Sequence, residues 1–140
     1  MNSRLYKQGK DRLETSSLPQ RIEDFVGADN PVRAIDAYVE TLNLAESGFD
    51  RIEPNRTSAG QPAFAPAALL MLYLYGYINR VHSSRALARE CQRNLEVIWL
   101  MRGLCPSYKT IAYFHQRNAQ ALRQVHVQFI AVPGIELAGW

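Results

Sequence analysis

The run from Phe64 to Ile78 constrains this chain most: fifteen consecutive residues, FAPAALLMLYLYGYI, none of them charged. As a helix it is too short to span a bilayer, which takes about 20 apolar residues. Pro66 suits the first helical position, and Ala67 to Ile78 is apolar on nearly every face. Such a helix belongs in the centre of a core. Gly76 within it costs roughly 1 kcal/mol against alanine, which suggests close approach by another helix. Tyr73, Tyr75 and Tyr77 need polar partners for their hydroxyls. A chain of 140 residues with 47% hydrophobic content can bury one such core in one domain.

The remaining patterns are helical. Residues 1–20 read as extended or loosely ordered, with a turn signal at Ser16-Ser17-Leu18-Pro19. A short helix follows from about Arg21 to Val26. Asn30-Pro31 is an N-cap with proline at the first helical position. Behind it Val32, Ile35, Val39 and Leu42 recur at helical spacing, and Glu46-Ser47-Gly48 marks the end. Residues 49–63 read as a loop. Ser83 or Ser84 caps a helix to about Gln92 with Leu87 and Cys91 inward. Asn94 caps a third, with Leu95, Ile98 and Trp99 inward and Gly103 as its stop. After Pro106-Ser107, the series Ile111, Phe114, Asn118, Leu122, Val125 and Phe129 predicts one long helix. No period-two run competes, so the fold class is all-α, a multi-helix domain.

Charge is unevenly distributed. Residues 1–60 carry eight Lys/Arg against ten Asp/Glu, whereas residues 61–140 carry eight against three, a net of +5. Thirteen of the sixteen basic residues are Arg, suited to bidentate phosphate or base contacts. Such a basic half points to an anionic partner, nucleic acid above all, with an arginine-rich solvated surface as the plain alternative. Cys91 and Cys105 form no C-x-x-C pair, which fits a reduced cytoplasmic setting, and the polar N-terminus offers no secretory segment.

Three short helices within residues 83–125 have the proportions of a helix-turn-helix-like unit. The helix opened by Ser107 is then the one to enter the major groove. Its first turn carries Tyr108, Lys109 and Thr110, and its polar face continues through Tyr113, Arg117, Gln120 and Gln124. The helix before it offers Arg85, Arg89 and Arg93 at four-residue spacing, a stripe about 12 Å long that can follow several phosphates. The alternatives are a solvated face partly paired with Glu90 and Glu96, and ordinary helix-start chemistry at Lys109 and Thr110.

Catalytic constellations are poor. His115 and His126, eleven residues apart on one straight helix, would stand about 16 Å apart and could not share a metal. His82 is alone. There is no glycine-rich phosphate loop and no marked nucleophile. The expectation is no catalytic residue, no metal ligand and no membrane partner.

An ordered set of short motifs identifies a family. It comprises Asp29-Asn30-Pro31-Val32-Arg33-Ala34-Ile35-Asp36, Gly60-Gln61-Pro62-Ala63-Phe64 with Pro66, Leu69 and Leu70, and Leu74-Tyr75-Gly76-Tyr77. Ser83-Ser84-Arg85, Cys91-Gln92-Arg93-Asn94, Trp99-Leu100, and Pro106 with Thr110-Ile111 and Phe114 complete it. Together, over about residues 4–131, these resemble the N-terminal domain of InsH-type insertion-sequence transposases. The resemblance implies a bacterial, nucleoid-associated DNA-binding domain for the terminal inverted repeats of the element. It also implies that catalysis resides in a separate RNase H-like domain, with a DDE carboxylate triad and two divalent metal ions, so that no cofactor belongs to these residues. The DNA-contacting positions carried over lie within Ser83 to Asn94 and Ser107 to Asn118.

The last residues depart from the family. There the long helix continues past the position of Ala131, whereas here Pro133 interrupts it and Val132 to Trp140 follow no family pattern. A one-base shift of reading frame accounts for such a tail. The expected organisation is an extended segment 1–28, a helical DNA-binding domain 29–131 and an out-of-frame tail 132–140, hence a truncated transposase. The competing readings are a dimerisation module, built on helix 66–78 and the long C-terminal helix and joining a second copy or the full-length transposase, and a pseudogene product whose apolar end, Phe129 to Trp140, is exposed.

Overall fold

Among the described residues, proline opens two of the six α-helices and a capping Asn or Ser side chain opens four. The computed structural model describes residues 6–13, 21–49 and 64–132. The turn at Ser16 to Pro19, residues 50–63 of the expected loop and the tail beyond Val132 lie outside the described residues. A 3-10 turn, Ile22–Phe25, precedes α1 (Pro31–Glu40), α2 (Pro66–Asn79), α3 (Ser84–Arg93), α4 (Leu95–Met101), α5 (Tyr108–Arg117) and α6 (Ala119–Ile130). The domain is all-helical.

The caps follow the sequence. The Asn30 side chain accepts from the Val32 amide, Ser83 from Ala86, Asn94 from Glu96 and Val97, and Ser107 from Thr110. Each satisfies an orphan donor at a helix start. Helix α1 ends at Glu40, earlier than Glu46-Ser47-Gly48. The Thr41 hydroxyl donates to the Tyr38 carbonyl at 2.6 Å, and the Asn43 side chain accepts from the Glu46 amide. Short polar side chains of this kind compete for backbone groups and turn the chain.

Helix α2 is the centre. Ala68, Leu69, Leu70, Leu72, Leu74, Tyr75, Gly76 and Ile78 are all buried, and α1, α4 and α5 pack on it. A Cβ on Gly76 would stand 2.5 Å from the Val81 carbonyl oxygen and 3.1 Å from Leu87 of α3. The close approach is therefore first of all the chain's own turn. Arg80 adopts a left-handed φ of 58°, and the Val81 amide reaches back to the Gly76 carbonyl at 2.8 Å. This is the Schellman closure of a helix. Helix α4 ends the same way: Arg102 has φ 55° and the Gly103 amide donates to Ile98 at 3.0 Å. The left-handed cap is thus Arg102, with Gly103 following it at positive φ.

Two expectations about the second half are corrected. In α4 the buried residues are Val97, Trp99, Leu100 and Met101, while Leu95 is 51% exposed and Ile98 half-buried. Seven residues, nearly all apolar and enclosed by α1, α2, α3 and the 3-10 turn, do not show one inward face in the sequence. The single long helix is two. Asn118 sits at φ −117°, ψ 26°, buried, with its side-chain amide donating to the Phe114 carbonyl at 3.0 Å. The inward series nonetheless passes unbroken through the bend, since Ile111, Phe114, Asn118, Leu122, Val125 and Phe129 are all buried.

Candidate nucleic-acid interface

Helices α3 and α5 pack against each other. Helix α3 divides sharply into a dry side, Leu87 and Cys91, and a wet side bearing exposed Arg85, Arg89 and Arg93. The three arginines have different surroundings. The Arg85 guanidinium lies 3.9 Å from the centre of the Tyr108 ring, a cation–π contact that joins the start of α3 to the start of α5. Arg93 donates to the Glu90 carboxylate at 3.0 Å, an exposed pair worth little to stability. Arg89 has no such partner among the described residues. Glu96 is engaged elsewhere, accepting from the Asn30 side chain at 2.6 Å.

Ser107 and Thr110 are used within α5: the Ser107 hydroxyl caps the helix and lies 3.1 Å from the Thr110 hydroxyl. Lys109 is exposed and unpaired among the described residues. Arg117 donates to the Tyr113 hydroxyl at 2.9 Å, and Tyr113 is 58% exposed. The structure thus brings Arg85 and Tyr108 together, and Ser107 with Thr110, while Arg89, Arg93, Lys109 and Arg117 point to solvent. The exposed face of α5 and its continuation comprises Lys109, Ala112, Tyr113, Gln116, Arg117 and Gln120. Gln116 was missed by reading the polar face at Tyr113, Arg117, Gln120 and Gln124 alone; its place seven residues after Lys109 is the signal that finds it. From Val97 to Ile130 there is no carboxylate, while Arg102, Lys109, Arg117 and Arg123 are present.

The connection from α4 to α5 is tied to α3. The Cys105 thiol donates to the Cys91 carbonyl at 3.2 Å, one of the carbonyls that the end of α3 leaves open. Both cysteines are free, and burial pushes the Cys91 thiol up to about 12.

The bend at Asn118 folds His115 and His126 toward one ring. Their imidazoles lie 5.1 Å and 6.2 Å from the Tyr73 ring centre, nearer to each other than a straight helix would set them. The Tyr73 hydroxyl is 3.4 Å from His126 Nδ1, and the Tyr75 hydroxyl accepts from Asn94 at 3.0 Å. Burial holds both imidazoles below the usual histidine range and raises Tyr75 to about 12. His115 Nε2 is buried without a hydrogen-bond partner beside a cavity of about 80 Å³. Among the described residues no three His, Cys, Asp or Glu side chains cluster as a metal site, and no helix is long and apolar enough to cross a membrane.

Sequence reading did not find the Arg12 site. The Arg12 side chain donates from Nε to the Trp99 carbonyl at 2.7 Å and from Nη2 to the Leu100 carbonyl at 3.3 Å, capping α4. It also pairs with Asp36 of α1 at 3.1 Å and stacks on the Trp99 ring at 4.0 Å. Trp99 Nε1 donates to Glu23 at 2.7 Å, and this bond, with that from Arg33, holds the Glu23 carboxyl below its ordinary range. Lys10 and Arg102 exchange two bonds: the Lys10 amide donates to the Arg102 carbonyl at 2.7 Å, and Arg102 Nε to the Lys10 carbonyl at 3.1 Å. An open cleft of about 450 Å³ is lined here by Arg12, Glu23, Arg33, Asp36 and Trp99. Its charges are paired among themselves, which suits holding helices together more than holding a ligand.

The dimer surface expected on residues 66–78 is unavailable, because α2 is the core. Phe129, the last of the inward series and exposed only in the pseudogene reading, is fully buried against Tyr38. The model of the family described as Transposase domain (DUF772) matches residues 20–117. No curated protein and no solved structure matches the chain.

Proposed function

This chain belongs to the DUF772 transposase-domain family, and from that premise we propose that it is the DNA-binding N-terminal domain of an InsH-type transposase. Its role is to hold the terminal inverted repeats of the element for a DDE catalytic domain that works with two divalent metal ions. The domain binds and positions without catalysing. We take α3, α4 and α5 as a helix-turn-helix-like unit, with α5 in the major groove and α3 along the backbone.

The observation that supports this reading is the carboxylate-free segment Val97 to Ile130, which contains α5, set beside the arginines of α3. Arg89 and Arg93 suit phosphates. Arg85, stacked on Tyr108, positions the start of α5, where Lys109 reaches outward and Ser107 caps the helix at Thr110, and Arg117 reaches outward at the far end. Binding of the 140-residue chain to a pool of random-sequence duplexes, followed by repeated selection, tests it. A recurrent motif is expected, with affinity falling steeply as salt rises. Replacing Arg85, Arg89 and Arg93 together by Ala lowers affinity and flattens the salt dependence by about two to three phosphate contacts. Unchanged affinity in that variant overturns the stripe, and absence of any enriched motif overturns sequence-specific binding.

A second reading, a self-associating module, rests on α6, where Val127 is 64% and Ile130 43% exposed, three residues apart. Sedimentation with and without duplex separates the two: a stable dimer dispersed by Val127→Glu, with no binding to duplex, favours association.

A further inference from the structure

We infer that Gln116 and Lys109 are the base-reading pair of α5, and that the duplex this domain selects carries an adenine and a guanine about three base pairs apart. The inference rests on the reading of α5 as the helix in the groove and adds which side chains read sequence there.

The outward face of α5 holds Lys109, Ala112, Tyr113, Gln116 and Arg117. They differ in what they are free to do. Arg117 is engaged with the Tyr113 hydroxyl at 2.9 Å on one flank. Tyr108 is covered by Arg85, and Thr110 and Ser107 bond each other. Lys109 and Gln116 are exposed, and neither is committed to a neighbour among the described residues. Ala112 lies between them and is exposed with only a methyl group, so the helix backbone can come close to base edges there. The occupant is duplex DNA by charge complementarity: the segment Val97 to Ile130 carries Arg102, Lys109, Arg117 and Arg123 and no carboxylate, and Glu90 of the neighbouring α3 is paired with Arg93.

The chemistry of the two free side chains then specifies the bases. A carboxamide presents one donor and one acceptor side by side, which matches adenine N6 and N7 in the major groove, whereas an ammonium suits guanine O6 and N7. The alanine methyl suits the 5-methyl of thymine. Seven residues of helix separate Lys109 from Gln116, about 10 Å of rise, and about 3.4 Å per base pair makes that three steps.

The selection is run with wild type, Gln116→Ala and Gln116→Glu in parallel, each bound motif being read by sequencing. Wild type is expected to enrich a motif with an invariant A·T pair three steps from a G·C pair. Gln116→Ala is expected to keep its salt dependence and the rest of the motif while losing preference at the A·T position, by roughly 5- to 150-fold. Gln116→Glu, which can only accept, should shift that position from adenine toward cytosine, whose N4 amino group donates to a carboxylate. If wild type enriches a motif and both variants enrich the same one unchanged, the assignment of Gln116 is overturned while the DNA-binding reading stands. If wild type enriches nothing, that reading itself fails. A dimer in sedimentation that Gln116→Ala disperses, with the motif unchanged, gives the face to a second copy and overturns the inference as well.

Discussion

Helices α2 and α3 are consecutive, separated only by Arg80–Ser83, and they are opposites. In α2 eight of fourteen residues are buried and the apolar surface runs round the whole helix. In α3 only Leu87 and Cys91 are buried, and apart from Ala86 and Ala88 the rest is polar or arginine. The first therefore carries stability and offers nothing to a partner. The second spends two side chains on the core and leaves its outer side available. The contrast teaches where substitution separates folding from binding in this domain.

The largest effect should come from emptying the centre. Leu70→Ala removes a side chain with no exposed surface and should cost about 2–5 kcal/mol. Arg89→Ala on α3 should stay within about 0.5 kcal/mol. Urea denaturation of the two variants side by side measures the gap, and equal losses would break the distinction between the helices.

Gly76→Ala ranks next. Alanine is the better helix former by about 1 kcal/mol. Here the added methyl meets the Val81 carbonyl at 2.5 Å, and the turn that ends α2 must shift. A net loss of about 1–3 kcal/mol is expected, read as a lowered denaturation midpoint. A gain in stability would show that the turn into α3 yields easily.

The smallest effect is a pH dependence at the seam between α2 and the bend. Burial depresses the folded-state pKa of His115, so the fold favours the neutral ring. The associated stability is present above the unfolded value of about 6.5 and is lost as pH falls through the lower, folded value. Thermal melting at pH 8 and pH 5 should show the acid sample melting lower, and His115→Phe should reduce the difference. A difference unchanged in His115→Phe would move the effect to His126, the other depressed imidazole at Tyr73.

The sequence was most legible where local chemistry decides. Asn30, Ser83, Asn94 and Ser107 are caps because of what lies two or three residues ahead of them, and all four act so. The inward series from Ile111 to Phe129 was legible too, but not its bend. A spacing of three and four records which side is dry, not whether the backbone continues straight, and buried Asn118 bends the chain without interrupting the series. In α4 periodicity failed because several neighbours bury it from different sides. In the candidate site, the arginine stripe was legible as spacing, and the Tyr113–Arg117 bond is a contact of the same kind, four residues apart within α5, whereas the stacking of Arg85 on Tyr108 required the packing of α3 on α5. The Arg12 cap was beyond reach, because its partners stand 87 and 88 residues away.

That separation has a consequence for how the chain is made. Arg12 leaves the ribosome early, and the carbonyls it closes on belong to Trp99 and Leu100. At about 5–20 residues per second the interval between them is about 4–17 s. Throughout it Trp99 does not yet exist to receive the guanidinium, whereas Asp36, its ion-pair partner, is already present. The segment around Arg12 thus gains its contacts with α4 only after the helices between them have been made.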